Sequence, residues 1–145
     1  MLTFIISLFL IFSSVERDDL LGRWKLGSYE AFYNILTSES FLSGSDKQRE
    51  SASKSFEFAL ANTCYDFKID TVFFTDAAEG IVKNKTGKWV LEKDTLVIFD
   101  YGKIKTYKFL ISEISDSQMK MYYVFPGGIV GKSSLVFTKF NNVNK

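Results

Sequence analysis

The feature that most limits what this chain can fold into is a period of two. In the stretch QMKMYYVF, Met119, Met121, Tyr123 and Phe125 fall on one side and Lys120 and Tyr122 on the other. Successive side chains of an extended backbone point to opposite sides, so alternation of this kind marks a strand with one buried face. The pattern returns along the chain. Tyr65, Phe67 and Ile69 oppose Asp66 and Lys68, Val72 and Phe74 flank Phe73, Gly87, Trp89 and Leu91 share a face, and so do Tyr107, Phe109 and Ile111. Aromatic residues make up 17% of the sequence, and such residues suit a pleated, half-buried surface.

Turn signals stand between these runs. Glu92-Lys93-Asp94 and Ser115-Asp116-Ser117 read as tight turns, and Phe125-Pro126-Gly127-Gly128 holds the only proline. Asp100-Tyr101-Gly102 fits a three-residue hairpin loop with Gly102 left-handed, and Asp76 to Gly80 reads as a loop. A series of short strands joined by hairpins predicts a mainly β fold, an antiparallel up-and-down meander that removes its edges by closing into a barrel. One segment departs from the period. Ser45-Asp46-Lys47-Gln48 has capping-box spacing, Ala52, Phe56, Ala59 and Leu60 then share a helical face, and Asn62 ends it. A helical insertion after the first strand is therefore predicted, with Tyr29 to Phe41 readable either as more strand or as a further short helix.

A chain of 145 residues suits one domain, placed at 20–140. The apolar run before it is shorter than the ~20 residues of a membrane-spanning helix. Residues 1–15 read as a signal peptide with its apolar core at Leu2–Phe12, the alternative being an uncleaved N-terminal anchor. The expected location is outside the cytoplasm: periplasmic, secreted or attached to the cell envelope.

Several chemistries are excluded. The chain has no histidine and one cysteine, Cys64, which removes the usual acid–base pairs, the commonest zinc sites and any internal disulfide. Cys64 reads as a small buried hydrophobe. A net charge of +1 with interspersed signs argues against nucleic acid. Asp70, Asp76, Asp94 and Asp100 flank turns, where Asp caps the backbone. Lys83, Lys85, Lys88, Lys93, Lys103, Lys105 and Lys108 read as a solvated face. The expectation is a monomer that is not an enzyme and takes no metal and no cofactor.

The two tryptophans share a frame: Gly22-Arg23-Trp24-Lys25-Leu26 and Gly87-Lys88-Trp89-Val90-Leu91. Their flanks differ, so they read as two solutions to one packing problem, with Gly easing a strand bend and Trp plugging the interior. With the insertion after Gly22-Arg23-Trp24, the stretch YDFKIDTVFF, the hairpin after Gly87-Lys88-Trp89 and the final SSLVFTKF, residues 20–140 resemble the bacterial lipocalin-like domains. The resemblance implies a small exported barrel with an interior that binds a small hydrophobic molecule. It also implies a basic residue late in the last strand, packed over the first-strand Trp. Lys139 is the candidate, and its alternation with Leu135 and Phe137 puts it at the open end.

An eight-stranded barrel is just wide enough to be filled by side chains or to hold one small ligand. Tyr107 and Tyr123 place hydroxyls on an otherwise apolar wall, the usual make-up of a small-molecule site. The residues expected to contact a small apolar ligand are Trp24, Phe67, Trp89, Tyr107, Phe109, Met121, Tyr123 and Phe125. The alternative is a filled barrel whose partner is an envelope protein, reached through the helical insertion and loops.

Overall fold

Eight antiparallel strands form in the computed structural model, which describes residues 14–140: β1 (Gly22–Tyr29), β2 (Cys64–Phe67), β3 (Thr71–Ala78), β4 (Ile81–Glu92), β5 (Thr95–Asp100), β6 (Lys105–Ile114), β7 (Gln118–Phe125) and β8 (Ile129–Phe140). Each pairs with its sequence neighbours, and β1 pairs β8 to close the barrel, with Trp24 opposite Lys139 and Leu26 opposite Phe137. The mainly β meander closing into a barrel is what forms. The apolar core of the expected signal peptide lies outside the described residues.

Four helices accompany the strands: α1 (Arg17–Leu20), α2 (Glu30–Leu36), α3 (Glu39–Leu42) and α4 (Asp46–Asn62). The last three are the predicted insertion after the first strand. Ser45 caps α4 as its spacing foretold: its hydroxyl accepts from the Gln48 N–H at 3.2 Å, and the Gln48 side chain accepts from the Ser45 N–H at 3.1 Å. Tyr29 to Phe41 resolves into the end of β1 and then helix. The Phe32 and Phe56 rings stack at 4.2 Å and hold α2 against α4.

The barrel interior has two halves. One end is plugged by Trp24, Trp89, Phe67, Leu96, Ile98, Met119 and Met121, all at most 1% exposed. Each large apolar side chain buried this fully contributes ~1.5–3 kcal/mol. Helix α1 lies across this end. The Trp24 indole N–H donates to the Leu20 carbonyl and the Trp89 indole N–H to the Lys68 carbonyl, both at 2.8 Å. A cation covers each indole: Lys139 Nζ lies 5.2 Å from the Trp24 ring and the Arg17 guanidinium 4.2 Å from that of Trp89. The Val15 N–H donates to Asp94 Oδ1 at 3.1 Å, tying the segment before α1 to the β4–β5 turn.

Several local expectations are corrected. Lys139 does pack over Trp24, but at the closed end beside α1, because the antiparallel pairing of β1 with β8 sets it directly opposite Trp24. β2 stops at Phe67, so Ile69 falls in the turn and is 73% exposed. Strand β3 runs through Asp76 to Ala78, leaving only Glu79-Gly80 as the turn, both with positive φ. The left-handed residue of the β5–β6 loop is Ile104, at φ 48°, and not Gly102. Cys64 is half-buried on β2, opposite Lys25. Lys85 does not belong to the solvated face: it points inward on β4, its side chain only 9% exposed.

Candidate ligand-binding cavity

The other half of the interior is open. Short β2 pairs β1 only over Gly22–Lys25, so above it β1 and β3 have no strand between them. The C-terminus of α4 fills that gap. The Leu26 N–H donates to the Thr63 carbonyl at 3.0 Å, the Thr75 hydroxyl donates to the Asn62 carbonyl, and the Cys64 N–H donates to Thr75 Oγ1 at 3.0 Å. Below this roof lies a cavity of about 200 Å³, walled by Leu26, Tyr29, Tyr65, Phe74, Tyr107, Tyr123, Leu135 and Phe137 and covered by Phe32, Ala59 and Thr63. Thr75, Asp76 and Ala77 of β3 form its edge. A larger and more polar groove at the closed end is lined by Val15, Ile111 and Ile114 and edged by Glu16, Asp19, Asp94, Glu113 and Asp116.

The floor is a layer of aromatic rings. Tyr65 stacks between Phe67 and Phe74 at 5.9 and 5.7 Å and meets Phe137 edge-on at 5.5 Å. Phe109 lies 4.8 Å from the Tyr123 ring. Tyr65, Tyr107 and Tyr123 all line the cavity, and their phenol groups lie within electrostatic range of one another. Among the described residues, no protein group hydrogen-bonds those three hydroxyls. Burial pushes the Tyr65 phenol well above its ordinary value and Tyr123 up to about 12, with Asp76 and the neighbouring phenols adding to both. The Tyr65 and Tyr123 phenols are therefore neutral at any physiological pH, able both to donate and to accept.

Beside the cavity sits a buried charge pair. The Lys85 ammonium donates to Asp100 Oδ2 at 2.8 Å, and the Gly102 N–H donates to Asp100 Oδ1 at 2.9 Å. Burial alone would raise the Asp100 carboxyl. The bonds from Lys85 and Gly102, with the charges of Lys85 and Lys103, hold it below its ordinary value. The bond to Asp100 in turn lifts Lys85 above its own. Asp76, on the other side of Lys85, is 3.6 Å away and makes an ion pair without a hydrogen bond.

The residues expected to contact a ligand divide between the two halves. Tyr107 and Tyr123 line the cavity, and Phe109 lies directly beneath it. Trp24, Phe67, Trp89 and Met121 belong to the plug, while Phe125 stands at the rim, 52% exposed, past the β7 bulge. Alternation placed Tyr65, Phe74 and Leu135 inward without saying at which level. Phe32, Ala59 and Thr63 had no signal linking them to the barrel, because they arrive from the insertion. Among the described residues, no group of three His, Cys, Asp or Glu is placed to hold a metal ion.

No protein-family model matches the sequence, and no curated protein matches it. Solved structures do. A lipocalin-like protein from Bacteroides uniformis superimposes with a TM-score of 0.51 at 18% identity, over 84% of this chain and 99% of that one. An uncharacterised protein from Bacteroides eggerthii reaches 0.48 at 15% identity, over 83% and 98%, and apo lipid binding protein 8 of Caenorhabditis elegans 0.42 at 14%, over 87% and 99%. The first of these, with the strand order and the helices after the first strand, shows the architecture of this chain to be that of a lipocalin-like barrel.

Proposed function

We propose that this chain is an exported, non-catalytic binding protein that takes one small, largely apolar molecule carrying a polar end. The observation that carries this reading is the convergence of the Tyr65, Tyr107 and Tyr123 hydroxyls on one cavity with no hydrogen-bond partner from the protein. Polar groups away from bulk solvent are normally partnered, and these three hydroxyls are available to the polar end of a ligand. A cavity of ~150 Å³ holds benzene, so about 200 Å³ suits one ring with a short chain. The absence of histidine supports a role without acid–base chemistry, and the apolar run Leu2–Phe12 supports export.

Native mass spectrometry of the protein purified from its own cells, joined with tyrosine-ring NMR during titration, tests this. The expected result is a retained small molecule, or ring shifts at Tyr107 and Tyr123 on adding single-ring alcohols. Removing two hydroxyls in Tyr107→Phe/Tyr123→Phe forfeits ~1 kcal/mol each and weakens binding about tenfold or more. A protein that retains nothing and shows no ring shift is a filled barrel.

One observation favours a second reading, an envelope interaction module. The hairpin tips at the open end leave Ile81 57%, Ile104 100% and Ile129 66% exposed. Crosslinking in intact cells from a photoreactive residue at position 104 separates the two: a single captured envelope protein supports the module, and no adduct leaves the cavity reading alone.

A further inference from the structure

We propose that the open end of the barrel docks on an anionic lipid bilayer through its three hairpin tips. This goes beyond the cavity reading and does not depend on it. In a closed antiparallel meander alternate hairpins share one end, so the β3–β4, β5–β6 and β7–β8 tips ring the same mouth. Asp76, Tyr107 and Tyr123 line the cavity two residues inward of the last pair in each hairpin, Ala78–Ile81, Asp100–Lys105 and Phe125–Ile129. Two of the hairpins reach past their outer neighbours: β4 meets β5 from Gly87 on, and β8 meets β1 from Leu135 on. Each tip carries bare apolar surface, with Ile81, Tyr101, Ile104, Phe125 and Ile129 all exposed.

Ile104 is the clearest sign that these side chains serve a partner. It holds φ 48°, a conformation that glycine adopts freely and a β-branched residue avoids. Its side chain is wholly exposed, so the fold gains nothing from an isoleucine there. An apolar side chain at that tip becomes favourable once it leaves water. The charges name the partner. Lys83, Lys103, Lys105 and Lys132 stand exposed on the three hairpins against Asp76 and Glu79, while Lys85 and Asp100 neutralise each other. The closed end gathers carboxylates instead: Glu16, Asp19, Asp94, Glu113 and Asp116 edge one groove and outnumber Arg17, Lys68, Lys93 and Lys139. Such a distribution turns the mouth toward a negative surface. Protein interfaces are poor in lysine. Lysines flanking exposed apolar and aromatic side chains suit anionic headgroups above an acyl layer. A mouth facing the bilayer lets an apolar ligand pass into the cavity without crossing water.

Vesicle sedimentation and hydrogen exchange of the full chain test this, on phosphatidylcholine alone and on phosphatidylcholine with phosphatidylglycerol. The apolar run Leu2–Phe12 is common to every variant, so differences between variants report the barrel. Binding is expected to be tightest on the anionic vesicles. Exchange should slow in 79–83, 101–104 and 126–130 and stay unchanged in the closed-end turns 92–94 and 115–117. Ile104→Ser/Ile129→Ser should weaken that binding about tenfold or more. Lys103→Ala/Lys105→Ala should remove most of the preference for anionic lipid. Lys68→Ala/Lys93→Asn makes the same charge change at the closed end, where salt screens it from the surface, and should alter binding less than about twofold. Exchange slowed at the closed-end turns and not at the tips overturns the docking, since the first residues then hold the lipid. So does binding unchanged in a folded Ile104→Ser/Ile129→Ser protein. A single envelope protein crosslinked from position 104, with no slowing by vesicles, gives the tips to a protein and overturns it too. The cavity reading stands or falls on its own titration, whichever of these results is found.

Discussion

At the scale of single residues, the two Gly-basic-Trp frames converge on one arrangement from different constraints. Gly22 takes φ 113°, a conformation that side-chain-bearing residues avoid. Gly87, opposite Asp100 on β5, has an ordinary φ, but a Cβ there would stand 2.3 Å from the Phe99 carbonyl oxygen. Gly87→Ala should therefore cost about 1–3 kcal/mol by overpacking, read as a lower urea midpoint. The Lys85–Asp100 pair, with side chains 9% and 1% exposed, makes a sharper prediction. Lys85→Met strands a buried carboxylate and should destabilise by about 3–5 kcal/mol, whereas Lys85→Met/Asp100→Leu should recover most of the loss. The pH profile follows from the same groups. Asp100 is held below 3.8, so its contribution is complete above that value and disappears as pH falls through its lower folded value. Lys85 is held above 10.5, so its contribution is complete below that value and is lost as pH rises through the folded one. Tyr123, raised from 10.0 to about 12, loses its share over that interval. Thermal melts should show a plateau between these limits, falling on both sides.

At the scale of elements, the insertion is attached differently from the strands. No residue of α2, α3 or α4 is fully buried, so these helices lie on the barrel and their stability is local. Their fastenings are few: the Phe32–Phe56 stack, the bonds of Thr63 and Asn62 to β1 and β3, and Glu30 Oε2 accepting from the Ser134 N–H and hydroxyl at 3.0 Å. Phe56→Ala should raise hydrogen exchange across α4 by tenfold or more while leaving the amides of β5 and β7 protected. Elements with few buried contacts open independently of the core. Equal loss of protection in β5 would show that the insertion and the barrel unfold as one unit. A loosened α4 also lifts Ala59 and Thr63 from the cavity, so the same variant should weaken any ligand.

At the scale of the molecule, the barrel is divided along its axis into a plug and a cavity, with the Phe109 ring beneath the cavity floor. Both tryptophans lie in the plug under α1. A ligand should therefore shift tyrosine signals and leave the indole N–H resonances of Trp24 and Trp89 unchanged, since their partners, Leu20 and Lys68, belong to the closed end. Indole shifts as large as those of Tyr123 would place the ligand lower than the cavity. The division also explains why the expected contacts were scattered. Period-two alternation states which side of a strand faces in, but height along the axis depends on register, and register here is shifted by bulges in β1, β6 and β7.

The sequence by itself determined the strand count within narrow limits, the inward face, the capped helix after the first strand and the closure into a barrel. Each of these follows from local periodicity, turn chemistry and the need to hide sheet edges. Only the tertiary structure decided which end of the barrel is filled, that Lys85 turns inward to Asp100, that Lys139 covers Trp24 at the closed end, and that α4 replaces the missing length of β2 as the cavity wall. These are matters of register and of contacts between residues distant in sequence. No local pattern encodes them, because the same alternation is satisfied whichever neighbour a side chain meets across the interior.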